Sequence, residues 1–151
     1  MSLNEEVELL RAIPLFAKIE PAKLKLLAFT SERLTYEADQ VLFNQGDMGD
    51  AAYIVMDGEA AVLINAPQGR IEVARFKRGD IVGEMAILCD VPRTATVQAV
   101  GNLTTLRVSK DLFFHLVTEF PQMAIEIMRE LAHRVERMNI QLREAVIKAR
   151  N

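Results

Sequence analysis

The sequence of 151 residues predicts a mainly β protein flanked by helices at both ends. Between residues 33 and 108, short runs rich in β-branched residues are separated by glycine, proline and aspartate turns, which is typical of a β-sandwich, jelly roll or small barrel. Residues 4–30 and 109–149 instead space their apolar side chains as helices do. We therefore expect one domain over residues 1–151, with helices over about 4–30, a β-roll over about 33–108 and C-terminal helices over about 109–149.

Two N-terminal helices are predicted, over residues 4–12 and 21–30. Pro21 suits the first turn of the second helix, because a backbone N–H would have no intrahelical partner at that position. The apolar residues of the second helix share one face, which is expected to point into the core: Leu24, Leu27 and Ala28.

The central region divides into strands at its turn residues. The pattern predicts strands over residues 40–43, 51–56, 60–64, 70–76 and 94–100. Asp57-Gly58 separates the second of these from the third and predicts a tight hairpin between them. Further along, the apolar pair Ile81-Val82 leads into Gly83 and a short helix.

The C-terminal region predicts two helices. Ser109 can cap the first through its side chain, and Pro121 begins a longer helix that reaches about Lys148. The apolar positions of the longer helix step by three and four residues, which is coiled-coil spacing: Ile127, Leu131, Val135, Met138, Leu142 and Ala145. We favour a homodimer seam over packing on the chain's own core, through Leu131, Val135, Met138 and Leu142.

The stretch from residue 83 to residue 97 carries the most specific chemical pattern. Glu84 and Arg93 are nine residues apart, at the two ends of a short helix and turn. The first N–H groups of a helix lack intrahelical partners and attract anions, and an arginine guanidinium matches phosphate oxygens. Gly83 leaves room for close approach of a ligand, and Pro92 restricts the loop before Arg93. A cyclic nucleotide fits this pattern, because it offers a hydroxyl to the carboxylate and one phosphodiester charge to the guanidinium.

These residues resemble the phosphate-binding cassette of the cyclic nucleotide-binding domain family, of the type found in catabolite activator proteins and in regulatory subunits of cyclic-AMP-dependent kinases. The order of helices, β-rich region and helices resembles the family over nearly the whole chain. The resemblance implies a double-stranded β-helix (jelly-roll) fold in which Glu84 binds the ribose and Arg93 binds the phosphate. It implies a ligand-binding set made of Gly83, Glu84, Met85, Ala86, Arg93, Thr94 and Ala95.

The resemblance leaves the base of the nucleotide open. Several family members that accept cyclic GMP carry threonine directly after the arginine, as Thr94 stands here, whereas alanine is common in cyclic-AMP-selective members. We take cyclic AMP as the first choice and leave cyclic GMP open. In the family the last helix also covers the base, for which the candidates are Leu131, Arg134, Val135 and Met138. Ile64 and Val73 are candidate base contacts from the strands, with core packing as the alternative role.

The composition and the motifs of the sequence argue against several other classes of function. A net charge of −3 argues against a surface that seeks nucleic acid or acidic membranes. Cys89 is the single cysteine, so no intramolecular disulfide can form, and His115 and His133 have no companion ligands for a metal. The sequence has no catalytic triad, HExxH motif or Walker loop, so no catalytic residue, metal or resident cofactor is predicted. No signal peptide or membrane-length apolar run is present, and a cytoplasmic location is expected.

The leading hypothesis is a non-catalytic sensor in which binding of a cyclic nucleotide moves the C-terminal helix. One alternative is the sensor portion of a catabolite-activator-type transcription regulator that lacks its DNA-binding domain, in which case this chain alone is expected not to bind DNA. Another alternative is a structural dimerisation domain without a ligand. A phosphodiesterase is disfavoured, because nothing near Arg93 would generate a nucleophile.

Overall fold

The computed structural model describes residues 2–13 and 16–150, apart from the side chains of Met85 and Glu130. It is mainly β with helices at both ends, which confirms the predicted fold class. In chain order, the elements are α1 (Leu3–Ala12), α2 (Pro21–Thr30), β1 (Glu32–Tyr36), β2 (Val41–Phe43), β3 (Ala51–Asp57), β4 (Glu59–Ala66), β5 (Gly69–Lys77), β6 (Ile81–Val82), α3 (Glu84–Cys89), β7 (Thr96–Ala99), β8 (Leu103–Ser109), α4 (Lys110–Glu119) and α5 (Pro121–Arg150).

The described strands form two four-stranded antiparallel sheets, with the orders β1-β8-β3-β6 and β2-β7-β4-β5. β3 is buried on both faces, because the helices cover one side of its sheet and the second sheet covers the other. Successive side chains of a strand alternate between these two sides. Ala52, Ile54 and Met56 join the core shared with the helices, and Ala51, Tyr53 and Val55 join the core between the sheets.

The Asp57-Gly58 turn does not form the tight hairpin that the sequence predicts. β3 and β4 lie in different sheets, so the turn carries the chain from one sheet to the other. Gly58 has a φ of +87°, and a Cβ added there would collide with the carbonyl oxygen of Asn102. Glycine is therefore required at position 58, while the packing of the two sheets decides which strands pair.

β7 begins at Thr96, two residues later than the start at Thr94 that the sequence predicts. The backbone just before the strand is bonded to the loop between β2 and β3. Arg93 N–H donates to the Asp47 carbonyl at 2.7 Å, and Gly46 N–H donates to the Arg93 carbonyl at 2.8 Å. Arg93 is therefore held by contacts between two loops, and the sheet ladder begins only after it.

The C-terminal helices begin as the sequence predicts. The Ser109 side chain caps α4 by accepting a hydrogen bond from Leu112 N–H at 3.2 Å. The first third of α5 packs into the helical core through Met123 and Ile127. From residue 135 to residue 150 every residue is exposed, so that about 24 Å of helix lies beyond the core. No helix in the described part of the chain combines the length and the apolarity needed to span a bilayer.

Candidate functional site

Gly83 joins β6 to α3 in a left-handed conformation, with φ +85° and ψ 10°. Its carbonyl oxygen accepts a hydrogen bond from Arg93 Nη1 at 2.7 Å. A Cβ on this residue would collide with the same nitrogen. The sequence predicts that the missing side chain makes room for a ligand, whereas the structure places the Arg93 guanidinium in that space.

Arg93 is almost fully buried, with 4% of its surface exposed. Besides the bond to Gly83, its Nη2 donates to the Ala51 carbonyl at 2.6 Å. A guanidinium has five N–H groups, and the buried Nε has no partner in the described part of the chain. The Phe43 ring lies against the guanidinium, with 4.0 Å between Cζ and the ring centroid. The arrangement holds Arg93 in place and leaves donors for a further acceptor.

The Arg93 cation has no carboxylate within ion-pair distance among the described residues. Burial lowers the pKa of Arg93 from its usual value, and the negative charges of Asp50, Asp47 and Glu84 at longer range act in the opposite direction. An arginine remains protonated at neutral pH in spite of such a decrease. A buried charge without a close counter-charge is costly, and an anionic ligand would relieve that cost.

Glu84 is the first residue of α3 and is 3% exposed. Its Oε1 accepts a hydrogen bond from Nη1 of Arg134 at 2.7 Å, which makes a partly buried ion pair between α3 and α5. The sequence predicts that Glu84 binds the ribose, and it names Arg134 as one candidate to cover the base. The ion pair joins these two residues directly. The last helix is therefore linked directly to the cassette.

A cavity of about 110 Å³ lies between Glu84 and Arg93. A second cavity, of about 250 Å³, lies on the side of the N-terminal helices, and Glu84 and Arg134 line both. Sites for small organic ligands usually have about 300–1,000 Å³, so the first cavity is smaller than is usual for such a site. Its lining residues are Phe43, Val62, Phe76, Val82, Gly83, Glu84, Ala86, Pro92, Arg93, Thr94, Ala95, Val97 and Arg134.

Six of the seven predicted ligand-binding residues line this cavity: Gly83, Glu84, Ala86, Arg93, Thr94 and Ala95. The side chain of the seventh, Met85, lies outside the described residues. From the strands, the lining includes Val62 and Phe76, and it does not include the candidates Ile64 and Val73. Among the candidate covers on α5, Arg134 reaches the cavity, Leu131 packs against the helical core, and the other two are exposed.

Sequence reasoning missed three features of the site. Gly49 packs so closely that an added Cβ would lie 2.5 Å from the Ala86 Cβ and 3.3 Å from Arg93 Cζ, although its φ is not positive. The stacking of Phe43 on the guanidinium and the acceptor role of the Ala51 carbonyl also went unpredicted. Gly49 could have been noticed in the sequence as a turn glycine. The Ala51 carbonyl could not, because every residue has a backbone carbonyl.

The family model for the cyclic nucleotide-binding domain matches residues 33–120, which include the cassette and all of both sheets except Glu32. The chain belongs to the cyclic nucleotide-binding domain family. Its fold is similar to the catabolite activator protein of Thermus thermophilus, with a TM-score of 0.78 and 27% identity over 85% of this chain and 61% of that one.

Two curated relatives are much longer proteins. The chain is 32% identical to the cAMP-dependent protein kinase regulatory subunit of Aspergillus niger, over 72% of this chain and 26% of that protein. It is 31% identical to the lysophospholipase NTE1 of Phaeosphaeria nodorum, over 76% of this chain and 8% of that protein. In both relatives, the matched segment is a small part of a longer polypeptide.

Proposed function

We propose that this chain is a regulatory domain that binds a cyclic nucleotide, with cyclic AMP as the first candidate and cyclic GMP as the second. The observation that carries the proposal is the buried Arg93 cation, whose Nε lacks a partner among the described residues and which lines a cavity shared with Glu84. Membership of the family supports the same ligand class.

In the proposed complex, the cyclic phosphate accepts hydrogen bonds from the guanidinium of Arg93 and from backbone N–H groups of the cassette. The ribose hydroxyl donates to the carboxylate of Glu84. Thr94 is exposed beside the cavity and offers its hydroxyl to the base. The full set of proposed ligand contacts is Gly83, Glu84, Met85, Ala86, Arg93, Thr94 and Ala95.

Ligand entry is proposed to move α5. The cavity of about 110 Å³ is smaller than most sites for small organic ligands, and most of its walls belong to the sheets and to the cassette. Arg134 is the wall residue contributed by α5, and its side chain is 30% exposed. Displacing it loosens the Glu84 ion pair and frees the carboxylate for the ribose. The ligand thereby has different contacts in two states of the protein, which is what a switch requires.

A panel of cyclic AMP, cyclic GMP, a cyclic dinucleotide and linear 5′-AMP tests the function by thermal unfolding. A ligand at about a hundredfold over its dissociation constant should stabilise the fold by about 2.7 kcal/mol. We expect cyclic AMP or cyclic GMP to raise the melting temperature and 5′-AMP to have little effect. If no cyclic nucleotide does so, the chain is a structural domain without this ligand. If chromatography shows steady conversion of cyclic AMP to AMP, the proposal of a non-catalytic sensor is wrong.

We also propose that α5 forms a homodimer. The observation that favours it is the exposure of the apolar residues beyond the core: Val135 is 56% exposed, Met138 65% and Leu142 62%. These residues repeat at heptad spacing along one face of the helix. Leu131, the fourth residue predicted for the seam, packs partly against the chain's own core. The proposed seam therefore begins at Val135.

A further inference from the structure

Phe43, the last residue of β2, contacts the charged group of the candidate site. Its ring centroid lies 4.0 Å from Cζ of Arg93. The same ring packs against Tyr53, with 5.8 Å between the two ring centroids and an angle of 35° between their planes. Tyr53 is buried in the core between the sheets. The face that meets the guanidinium is therefore fixed by the β-roll.

A bulge in β2 brings Phe43 to the inside. Val41 pairs with Gln98 and Phe43 pairs with Val97, so three residues of β2 lie opposite two of β7. An extra residue of this kind re-aims the side chains that follow it. Consecutive Leu42 and Phe43 accordingly both pack against the inner core, where regular alternation would place one of them outside.

An aromatic ring holds a buried cation without cancelling its charge. The negative face of the ring stabilises a desolvated guanidinium, and the two carbonyl acceptors of Arg93 are neutral groups. A carboxylate in place of Phe43 would hold the guanidinium equally well but would compete with an incoming phosphate. The observed contacts therefore fix the direction of the guanidinium while its positive charge stays available.

We propose that Phe43 is a positioning residue for Arg93, through which it raises the affinity for the phosphate of the ligand. The predicted effect of Phe43 on ligand affinity rests on the proposed function. Its predicted effect on the guanidinium of the free protein rests only on the contact between Phe43 and Arg93. Because Phe43 acts through Arg93, its removal should change the guanidinium even when no ligand is present.

The test compares Phe43→Leu, which keeps an apolar side chain without a π-face, with Phe43→Tyr, which keeps the ring. In the free protein, the Nε–H signal of Arg93 in a proton–nitrogen NMR spectrum is assigned by its loss in Arg93→Lys. We expect the wild-type signal to show a ring-current shift and slow exchange with water. Both features should disappear in Phe43→Leu and persist in Phe43→Tyr.

Calorimetry with cyclic AMP and cyclic GMP gives the second readout. Phe43→Leu should weaken binding by about tenfold, which lies between the scales of an exposed and a fully desolvated cation–π contact, and Phe43→Tyr should restore it to within about twofold. Phe76→Leu is the matched control: Phe76 lines the same cavity but stacks on no guanidinium among the described residues. It should leave the Nε–H signal of Arg93 in place.

The two proposals fail in different ways. If the wild-type protein binds no cyclic nucleotide, the proposed function is wrong, while the NMR comparison still decides whether Phe43 positions Arg93. If Phe43→Leu keeps both the wild-type Nε–H signal and the wild-type affinity, the positioning role is wrong and the proposed function stands. A signal that moves equally in Phe43→Leu and Phe76→Leu also contradicts the specific role of Phe43.

Discussion

Gly83 meets two separate structural constraints at one position. Its φ of +85° disfavours any other residue, and the space of its absent side chain holds Arg93 Nη1. Gly69 shares only the first constraint, because it has φ +118° and nothing lies within 4 Å of an added Cβ. The two glycines therefore separate backbone strain from displacement of the guanidinium.

Gly83→Ala and Gly69→Ala form a matched pair for that comparison. Both should lower the free energy of unfolding, by about 1–3 kcal/mol, because alanine is strained in a left-handed conformation. Only Gly83→Ala should also weaken binding of the cyclic nucleotide, since its methyl group displaces Arg93. Urea unfolding and calorimetry measure the two effects. Equal affinities in the two variants would contradict the close contact between Gly83 and Arg93.

Tyr36 makes stability depend on alkaline pH. Desolvation by burial raises the pKa of its phenol above 10.0, with the nearby Tyr53 adding to the increase. The folded protein therefore favours the neutral phenol, and this contribution is complete below pH 10.0 and is lost as the pH rises toward the folded-state pKa.

Tyr36→Phe removes that group and should flatten the fall in unfolding free energy above pH 10.0 relative to the wild type. Urea unfolding of both proteins at neutral pH and in steps above pH 10.0 provides the measurement. If the difference between the two proteins is the same at every pH, the phenol does not carry the expected linkage.

The sequence could predict which charged residues the cassette contains, but it could not predict how Arg93 is held in place. Glu84 and Arg93 stood out because of their residue types and their spacing. The acceptor for Arg93 Nη2 is the carbonyl of Ala51, which lies 42 positions earlier in the chain. Every residue has such a carbonyl, so only the three-dimensional packing selects this one.

At the element scale, the link between α3 and α5 is the ion pair between Glu84 and Arg134. The sequence predicts a long C-terminal helix and names Arg134 as one of four candidate covers, but spacing alone does not show which side chain turns inward. Burial of Ile127 and the partial burial of Leu131 fix the rotation of α5 and bring Arg134 to the cassette.

Arg134→Ala should strengthen binding of the cyclic nucleotide by roughly three- to tenfold, because it opens the cavity and leaves the Glu84 carboxylate for the ribose hydroxyl. It should also lower the unfolding free energy of the free protein by about 1–3 kcal/mol, since Glu84 loses its partner in a buried place. Calorimetry and urea unfolding measure these changes.

Arg129→Ala is the control on the same helix, because Arg129 pairs with Glu126 on an exposed surface. It should have little effect on either quantity. Weaker binding in Arg134→Ala would mean that Arg134 holds the ligand instead of excluding it, and the proposed displacement of α5 would be wrong.

The second half of α5 carries apolar residues that the core of the molecule does not cover. Val135, Met138 and Leu142 lie along one stripe, whereas Ile140 lies on the other side of the helix and is 46% exposed. A homodimer would cover the stripe and leave Ile140 in solvent.

Leu142→Glu should therefore convert the dimer to a monomer, because it places a charge in an apolar seam, while Ile140→Glu should leave the dimer intact. Sedimentation velocity at micromolar concentrations distinguishes the two states, and circular dichroism checks that both variants fold. A wild-type protein that sediments as a monomer, or equal behaviour of the two variants, would contradict the proposed seam.

The fold class could be predicted from the order of periodicities along the chain, whereas the pairing of strands could not. Helical spacing at both ends and short β-rich runs between them indicated helices flanking a roll. Asp57-Gly58 correctly predicted the position of a turn. It wrongly predicted that the two strands on either side pair with each other, because β3 and β4 belong to different sheets. Local turn chemistry reports where the chain reverses, and burial on both faces of β3 decides its neighbours.

Calorimetric titration of cyclic AMP and cyclic GMP into the wild-type protein and Arg93→Ala, with Arg129→Ala as the control, decides whether Arg93 binds the ligand. Removing one partner of a buried, charge-assisted contact costs about 2–5 kcal/mol. We therefore expect Arg93→Ala to weaken binding by roughly thirtyfold or more and Arg129→Ala to bind as the wild type does. Unchanged affinity in Arg93→Ala would show that Arg93 does not bind the phosphate of the ligand.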